Sequence, residues 1–322
     1  MLGCLSLVIG LVAGPECMRF NAVSLDNNLV ESSDASFLVD TIYPGEVLVI
    51  SFGFVAWHKR PDFDFYGRLK KLDSLIGKPS NRILVRDCSN AWYHREISGL
   101  GANVDEVADS LREMIQTISP SKVVTIGQSM GGYAAIMFGA LLQVDRILAF
   151  GALSFLCPKQ AITYNDRRWL SVMLDLEQNP PPVRYLDLPS LCKEKGEKSE
   201  LHLFFGTKPD AGTHESVNLD VLHAMRYQAL PSCHLHPYAD ADHTIVRHLI
   251  DTRQINDILG KYIMDLEVPA LSPANGLPVE WIAWMQKNLA LGAPPDELLA
   301  AVTGHGFSEY DARVALYRCQ KK

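Results

Sequence analysis

The run Gly127-Gln128-Ser129-Met130-Gly131-Gly132 constrains this chain more than any other stretch of it. It stands between Lys122–Ile126 (KVVTI), which reads as a buried strand, and GGYAAIMFGALL, which reads as a small-residue helix. A chain that passes from strand to helix with no linker must turn sharply, and the residue at the turn is held in a strained conformation. Its neighbours must then be small, and Gly127, Gly131 and Gly132 provide that room. The start of the helix also places unpaired N–H groups and a partial positive charge beside Ser129. The pattern fits a serine nucleophile on an exposed elbow; the plainer alternative is a glycine-rich turn without chemistry.

The rest of the chain keeps the same rhythm. Apolar runs at Gly45–Phe54, Arg82–Asp87, Lys122–Ile126, Arg146–Leu153, Leu201–Phe205 and Cys233–Tyr238 read as strands. Helical spacing is clearest over Val104–Ile118, where Val104, Val107, Ala108, Leu111, Met114, Ile115 and Ile118 share one face. Met130–Leu142, Val217–Leu230 and His243–Met264 are further helix candidates. Continuous apolar strands alternating with helices predict an α/β fold, a mainly parallel central sheet with helices on both faces. Residues 19–43 read as leading antiparallel strands.

With 48% apolar and 21% charged residues, the chain has ample surface to bury, which excludes a disordered polymer. A net charge of −7 argues against a broad nucleic-acid-binding face. Seven cysteines, an odd number with no C-x-x-C pair, argue against a disulfide scaffold or a zinc knuckle and for free thiols in a reducing, cytoplasmic setting. The apolar Leu2–Gly14 stretch within residues 1–18 leaves three readings open: a start codon set too early, a signal or anchor in an exported form, or a folded element. It lacks a basic leader and is too short to span a bilayer, and no other run approaches that length, so no integral membrane insertion is expected.

Two stretches break this rhythm, one within the core of residues 19–266 and one just after it. Residues 157–200 hold Tyr164, Trp169 and Leu170, then Asn179-Pro180-Pro181-Pro182, then a charged run. They read either as a lid or as an ordinary crossover with a long solvated loop. Residues 267–278 read as a linker. Three short helices follow within 279–322: Val279–Leu289, Pro295–Thr303 and Ser308–Cys319. They form a small bundle that either docks a protein partner or packs back on the core. The Gly306-Phe307 fragment with Ala312 and Leu316 faintly resembles the last helix of ubiquitin-associated modules.

A serine nucleophile needs a base, and the base needs an orienting acid. With the serine on such an elbow, the partners follow in the order acid, then histidine. His243 follows the last strand in Ala239-Asp240-Ala241-Asp242-His243-Thr244 and is the expected base. Its rivals His234, His236, His248, His214 and His223 read as structural. The acid should follow Leu201–Phe205, where Gly206-Thr207-Lys208-Pro209-Asp210 makes Asp210 the first choice, with Glu215 and Asp220 as fallbacks. For the oxyanion hole, the N–H of Met130 is one expected donor. The other comes from the loop after the early strand, Phe54 first and Gly53 second.

Taken together, GQSMGG, GTKPD and ADHT in this order resemble the α/β-hydrolase family over roughly Gly45–Ile263. The resemblance implies a triad along the carboxyl edge of the sheet and covalent acyl-enzyme chemistry on an ester, thioester or amide. It implies no metal or organic cofactor for that chemistry, and a small-molecule, acyl or peptidyl substrate. Phe52 before Gly53 departs from the family's common His-Gly oxyanion form. Trp57, Asp87, Trp92 and Tyr93 are the candidate substrate contacts, against a reading in which Arg86 and Asp87 brace a loop over buried aromatics. Two alternatives stay open: an acyltransferase on the same triad, and a non-catalytic interaction protein.

Overall fold

The computed structural model describes residues 25, 27–40, 43, 45–178, 185–209, 218–266, 277–305, 307 and 309–320. The apolar amino-terminal segment, Asp210, Glu215 and most of the 267–278 stretch lie outside them. Two compact units emerge, one running to Tyr66 and resuming over Ser80–Arg253, the other combining Gly67–Pro79 with the chain from Gln254 onward.

The first unit is built on seven strands: β1 (Phe37–Asp40), β2 (Leu48–Phe52), β3 (Asn81–Val85), β4 (Val123–Gln128), β5 (Arg146–Phe150), β6 (Glu200–Gly206) and β7 (Cys233–Tyr238). They form one sheet in the order β1-β3-β2-β4-β5-β6-β7. Only β1 is antiparallel, to β3; every other pairing is parallel. The central strands are buried along almost their whole length, and their sequences are rich in Val, Ile and Leu, as a sheet covered on both faces requires.

Two helices of this unit follow the sequence closely and a third follows it in part. α3 (Val104–Ile118) buries the stripe that its spacing marks, and Asn103 caps it by accepting from the Glu106 N–H. α4 (Met130–Leu142) is buried almost throughout. α8 (Leu219–Met225) is shorter than its apolar pattern, and it starts where Asn218 accepts from the Asp220 N–H. The described residues of the 157–200 stretch hold three short helices, α5 (Pro158–Thr163), α6 (Leu170–Gln178) and α7 (Leu188–Lys195). The expected long helix after His243 is two helices. α9 (Ile245–Asp251) ends before Arg253, which takes φ of 64°, and α10 (Ile255–Met264) starts in the second unit.

Of the leading antiparallel strands expected over residues 19–43, the described residues hold one, β1, preceded by a short helix, α1 (Asn27–Ser32). A buried ion pair places β1: Asp40 stands opposite Arg82 in register, their Oδ2 and Nε 2.8 Å apart. The other Asp40 oxygen accepts from the Leu25 N–H at 2.8 Å, so this buried carboxylate is satisfied on both sides.

In the second unit, α2 (Tyr66–Ile76) apart from its first residue joins α10, α11 (Val279–Ala290), α12 (Pro295–Gly304) and α13 (Glu309–Gln320). The last three helices share an apolar core of Leu277, Met285, Leu298, Leu299, Val302, Ala312, Ala315 and Leu316. Among the described residues no helix is long and apolar enough to cross a membrane.

One buried histidine gives the fold a pH dependence. His94 faces the Tyr133 hydroxyl through Nε2 at 3.3 Å, and burial pushes its imidazole down to about 3 from an ordinary 6.5. The unfolded chain therefore binds a proton below about pH 6.5 that the folded chain refuses. Stability is expected to fall with decreasing pH from there, by up to about 1.4 kcal/mol per unit for this residue. Chemical denaturation of wild type and His94→Gln between pH 7 and pH 4 checks this: the variant should show the shallower decline.

Candidate active site

β4 runs into α4 with one residue between them. Ser129 takes φ 53° and ψ −117°, a conformation that L-residues rarely adopt. Its N–H donates to the Phe150 carbonyl of β5 at 2.8 Å, and its carbonyl accepts from Tyr133 N–H at 3.0 Å. The strain is thus offset by fixed bonds on both sides. Close approach makes the glycines obligatory: a Cβ on Gly131 would lie 2.1 Å from the Phe52 carbonyl oxygen. The first turn of α4 is pressed onto the carboxyl end of β2.

His243 reaches this serine from the loop after β7. Its Nε2 lies 3.1 Å from Ser129 Oγ, and its Nδ1 lies 2.8 Å from Asp220 Oδ2. With Nδ1–H donating to the carboxylate, Nε2 is left to accept the serine hydroxyl. The carboxylate on the histidine is therefore Asp220, a fallback in the sequence reading, while Asp210, the first choice, lies outside the described residues. β6 ends at Gly206, but its acid waits until the first turn of α8. There the Asn218 cap holds the Asp220 backbone at 2.8 Å.

Asp220 is buried, which pushes its carboxyl up. The hydrogen bond from His243 and the charges of His243, Arg168 and His223 outweigh this and hold it below the usual carboxylate range. Arg168 is the residue that the sequence did not flag. Its Nη1 donates to Asp220 Oδ1 at 3.2 Å, while Nε and Nη2 engage both oxygens of Asp166 at 2.9 to 3.3 Å. Behind Asp166 stands His223, whose Nε2 lies 2.8 Å from Asp166 Oδ2. His223 Nδ1 accepts from the Ser154 N–H at 3.0 Å and lies 2.8 Å from Ser154 Oγ. Gly151, at φ 54°, seals this corner: a Cβ there would lie 3.1 Å from Asp220 Oδ2 and 3.3 Å from His243 Nδ1.

Ser154, His223 and Asp166 repeat the serine–histidine–carboxylate composition, but Ser154 and Asp166 are fully buried, as is His223. There the ring presents Nδ1 to the serine and Nε2 to the acid, the reverse of the Ser129 arrangement. His223 supports the Asp166–Arg168 pair from behind. A composition search finds both sets; only ring orientation and access to solvent separate them.

The expected oxyanion donors divide. Met130 is the first residue of α4, where an N–H has no partner within the helix. Gly53 is not available, because its N–H donates to the Val85 carbonyl at 2.9 Å and extends the β2–β3 ladder by one bond. The following N–H, that of Phe54, is the strand-end candidate that remains.

Three of the four expected substrate contacts turn out to be braces. Asp87 is fully buried and accepts from the N–H groups of Ser89, Ala91 and Tyr93 at 2.7 to 2.9 Å. Tyr93 is buried too, and its hydroxyl lies 2.9 Å from the Gly53 carbonyl and 3.2 Å from that of Val85. Trp92 is buried against Trp169, ring centroids 4.7 Å apart. Asn90 of the same turn pairs with Ala56 through both of its amide atoms. The Asp87–Tyr93 turn therefore fixes the Gly53–Ala56 loop, and with it the Phe54 N–H. Arg86 does not pair with Asp87; it donates to the carbonyls of Ser33, Ala35 and Pro61. Trp57 alone of the four is exposed, at 58%, with its ring stacked on Trp169 at 6.2 Å.

No protein-family model and no curated protein matches this sequence. Among solved structures the chain is similar to the capsule O-acetyltransferase of Neisseria meningitidis serogroup A, at 15% identity over 71% of this chain and 98% of that one, TM-score 0.48. It is similar to an acylaminoacyl peptidase of Pyrococcus horikoshii, at 13% identity over 70% of this chain and 38% of that one, TM-score 0.45. A third is MPT51 of Mycobacterium tuberculosis, at 12% identity over 77% of this chain and all of that one, TM-score 0.48. At these identities the likeness concerns the fold alone.

Removing Arg168 leaves Asp166 and Asp220 buried without their shared cation. Arg168→Met is expected to cost about 3–5 kcal/mol of stability. Chemical denaturation at neutral pH checks it.

Proposed function

We propose that this chain, on its α/β-hydrolase-like fold, is a serine hydrolase that cleaves an ester, thioester or amide through an acyl-enzyme on Ser129. The observation that carries the reading is the continuous hydrogen-bonded chain Ser129–His243–Asp220, hung on a strained strand-to-helix turn. Ser129 Oγ attacks the substrate carbonyl carbon while His243 Nε2 takes its proton. Asp220 keeps the imidazole proton on Nδ1 and stabilises the imidazolium as it forms. The N–H groups of Met130 and Phe54 receive the negative charge that develops on the carbonyl oxygen. His243 then delivers its proton to the leaving group, the acyl group stays on Ser129, and water activated by the same imidazole releases it.

A fluorophosphonate probe tests this without knowledge of the substrate. Wild type should label on Ser129, located by mass spectrometry. Ser129→Ala and His243→Ala should abolish labelling, and Asp220→Asn should slow it by about 10⁴-fold. Asp210→Asn should label at the wild-type rate. Loss confined to Asp210→Asn would return the acid to the loop, and labelling of another serine would end the assignment.

The brace on the oxyanion loop can be read in the same assay. Tyr93→Phe frees the Gly53 carbonyl and lets the Phe54 N–H drift. We expect the labelling rate constant to fall about tenfold, or about 1.4 kcal/mol of barrier, with labelling still confined to Ser129.

A further inference from the structure

At the opposite end of β6 and β7 from the triad, four side chains with metal-binding atoms meet on one sheet face. Residues two apart on a strand share a face. Glu200 and His202 open β6, and His234 and His236 lie on β7. The parallel register puts His202 against His234 and Phe204 against His236. Glu200 Oε1 lies 3.2 Å from His202 Nε2 and 3.5 Å from His234 Nε2. All three ligand atoms fall within 4.8 Å of one another.

We propose that Glu200, His202 and His234 form a binding site for a divalent transition metal of the zinc type, clipping the edge strand β7 to β6. Two imidazoles and one carboxylate are a donor set suited to zinc, and water would complete four-coordination. With bonds of about 2.0–2.1 Å, ligands of a tetrahedral ion stand about 3.3–3.5 Å apart, the spacing already found around Glu200 Oε1. The two rings stack nearly parallel, 4.8 Å between centroids, so their nitrogens do not yet converge on one point. His234, the exposed member at the sheet edge, closes the gap by rotating its ring toward Oε1.

The surroundings orient the ligands as an outer shell does. Arg146 Nε holds Glu200 Oε2 at 2.6 Å, which turns Oε1 toward the histidines. His202 Nδ1 lies 3.0 Å from His236 Nε2. Its proton can be donated there, which leaves Nε2 with a lone pair for the metal. The Arg146 charge opposes the metal's and lowers the affinity. The triad sits at the carboxyl ends of these strands, so the ion takes no part in the acyl chemistry. Its effect is to fix the two strands that lead to Asp220 and His243.

Isothermal titration of the chelator-treated full chain with zinc tests the proposal, with cobalt as a spectroscopic substitute. Wild type should bind one ion per chain, gain thermal stability, and give the visible d–d bands of tetrahedral cobalt. His234→Ala, an exposed position whose loss the fold tolerates, and Glu200→Gln should each weaken binding at least tenfold and lose those bands. His305→Ala, in the second unit, should bind like wild type. No saturable binding in wild type, or binding that persists in both ligand variants, overturns the site.

Discussion

The structure depends on how closely α4 approaches β2. A side chain at Gly131 would strike the Phe52 carbonyl, so the helix can begin where it does only because that position is bare. From this contact the rest follows. β2 and β4 pair in parallel with Phe52 opposite Gly127, so the loop leaving β2 and the turn leaving β4 emerge side by side. One supplies the Phe54 N–H, the other Ser129 and the Met130 N–H. β6 and β7 are parallel to them and discharge their loops on the same edge, which brings Asp220 and His243 into reach. A single antiparallel exchange among these strands would send one member of the set to the far side of the molecule.

The charges behind the site have their own logic. Asp166, Arg168 and Asp220 carry a formal sum of −1 while His243 is neutral. In the proposed reaction His243 takes the serine proton, and the cluster then reaches zero. Burial makes that difference count, because an unbalanced charge in a low-dielectric surrounding is expensive. Arg168 bridges both carboxylates, so neither must accept a proton to remain inside. For the same reason the cation does not simply deaden Asp220. It occupies Oδ1 and leaves Oδ2 to the histidine.

What the sequence made legible was whatever periodicity or local sterics dictate. α3 and α4 have the bounds their patterns mark; β2, β5 and β7 fall within their apolar runs, and β3, β4 and β6 overrun theirs by one or two residues. The turn at Ser129 announces itself because glycines flank it at the positions where backbone must touch backbone. Asp220 was harder to see. Its role depends on how far the chain travels after β6 before turning back, and twelve residues, Thr207 to Asn218, stand in the sequence between that strand and the helix that carries it. No local rule fixes that distance. The long helix after His243 failed for a related reason: apolar spacing continues across Thr252 and Arg253, but Arg253 adopts a left-handed conformation that ends α9. Asp87 and Tyr93 carry the residue types of a binding site, yet Asp87 is spent on N–H groups of its own turn and the Tyr93 hydroxyl on the distant Gly53 carbonyl.

The two serine–histidine–carboxylate sets show why residue type alone cannot assign chemistry. A histidine serves as a base only if Nε2, or an equivalent lone pair, faces a hydroxyl that substrate can also approach. At His223 the available lone pair is spent on the Ser154 N–H, and a neighbouring Arg226 donates to the Ser154 hydroxyl at 3.1 Å. A hydroxyl that already accepts from a guanidinium is a weakened nucleophile, whatever stands on its other side. At Ser129 the backbone bonds fall on N–H and C=O, and the side-chain oxygen is left to His243. The strained turn thus does more than expose the serine. By committing its backbone groups elsewhere, it leaves Oγ with the imidazole as its partner.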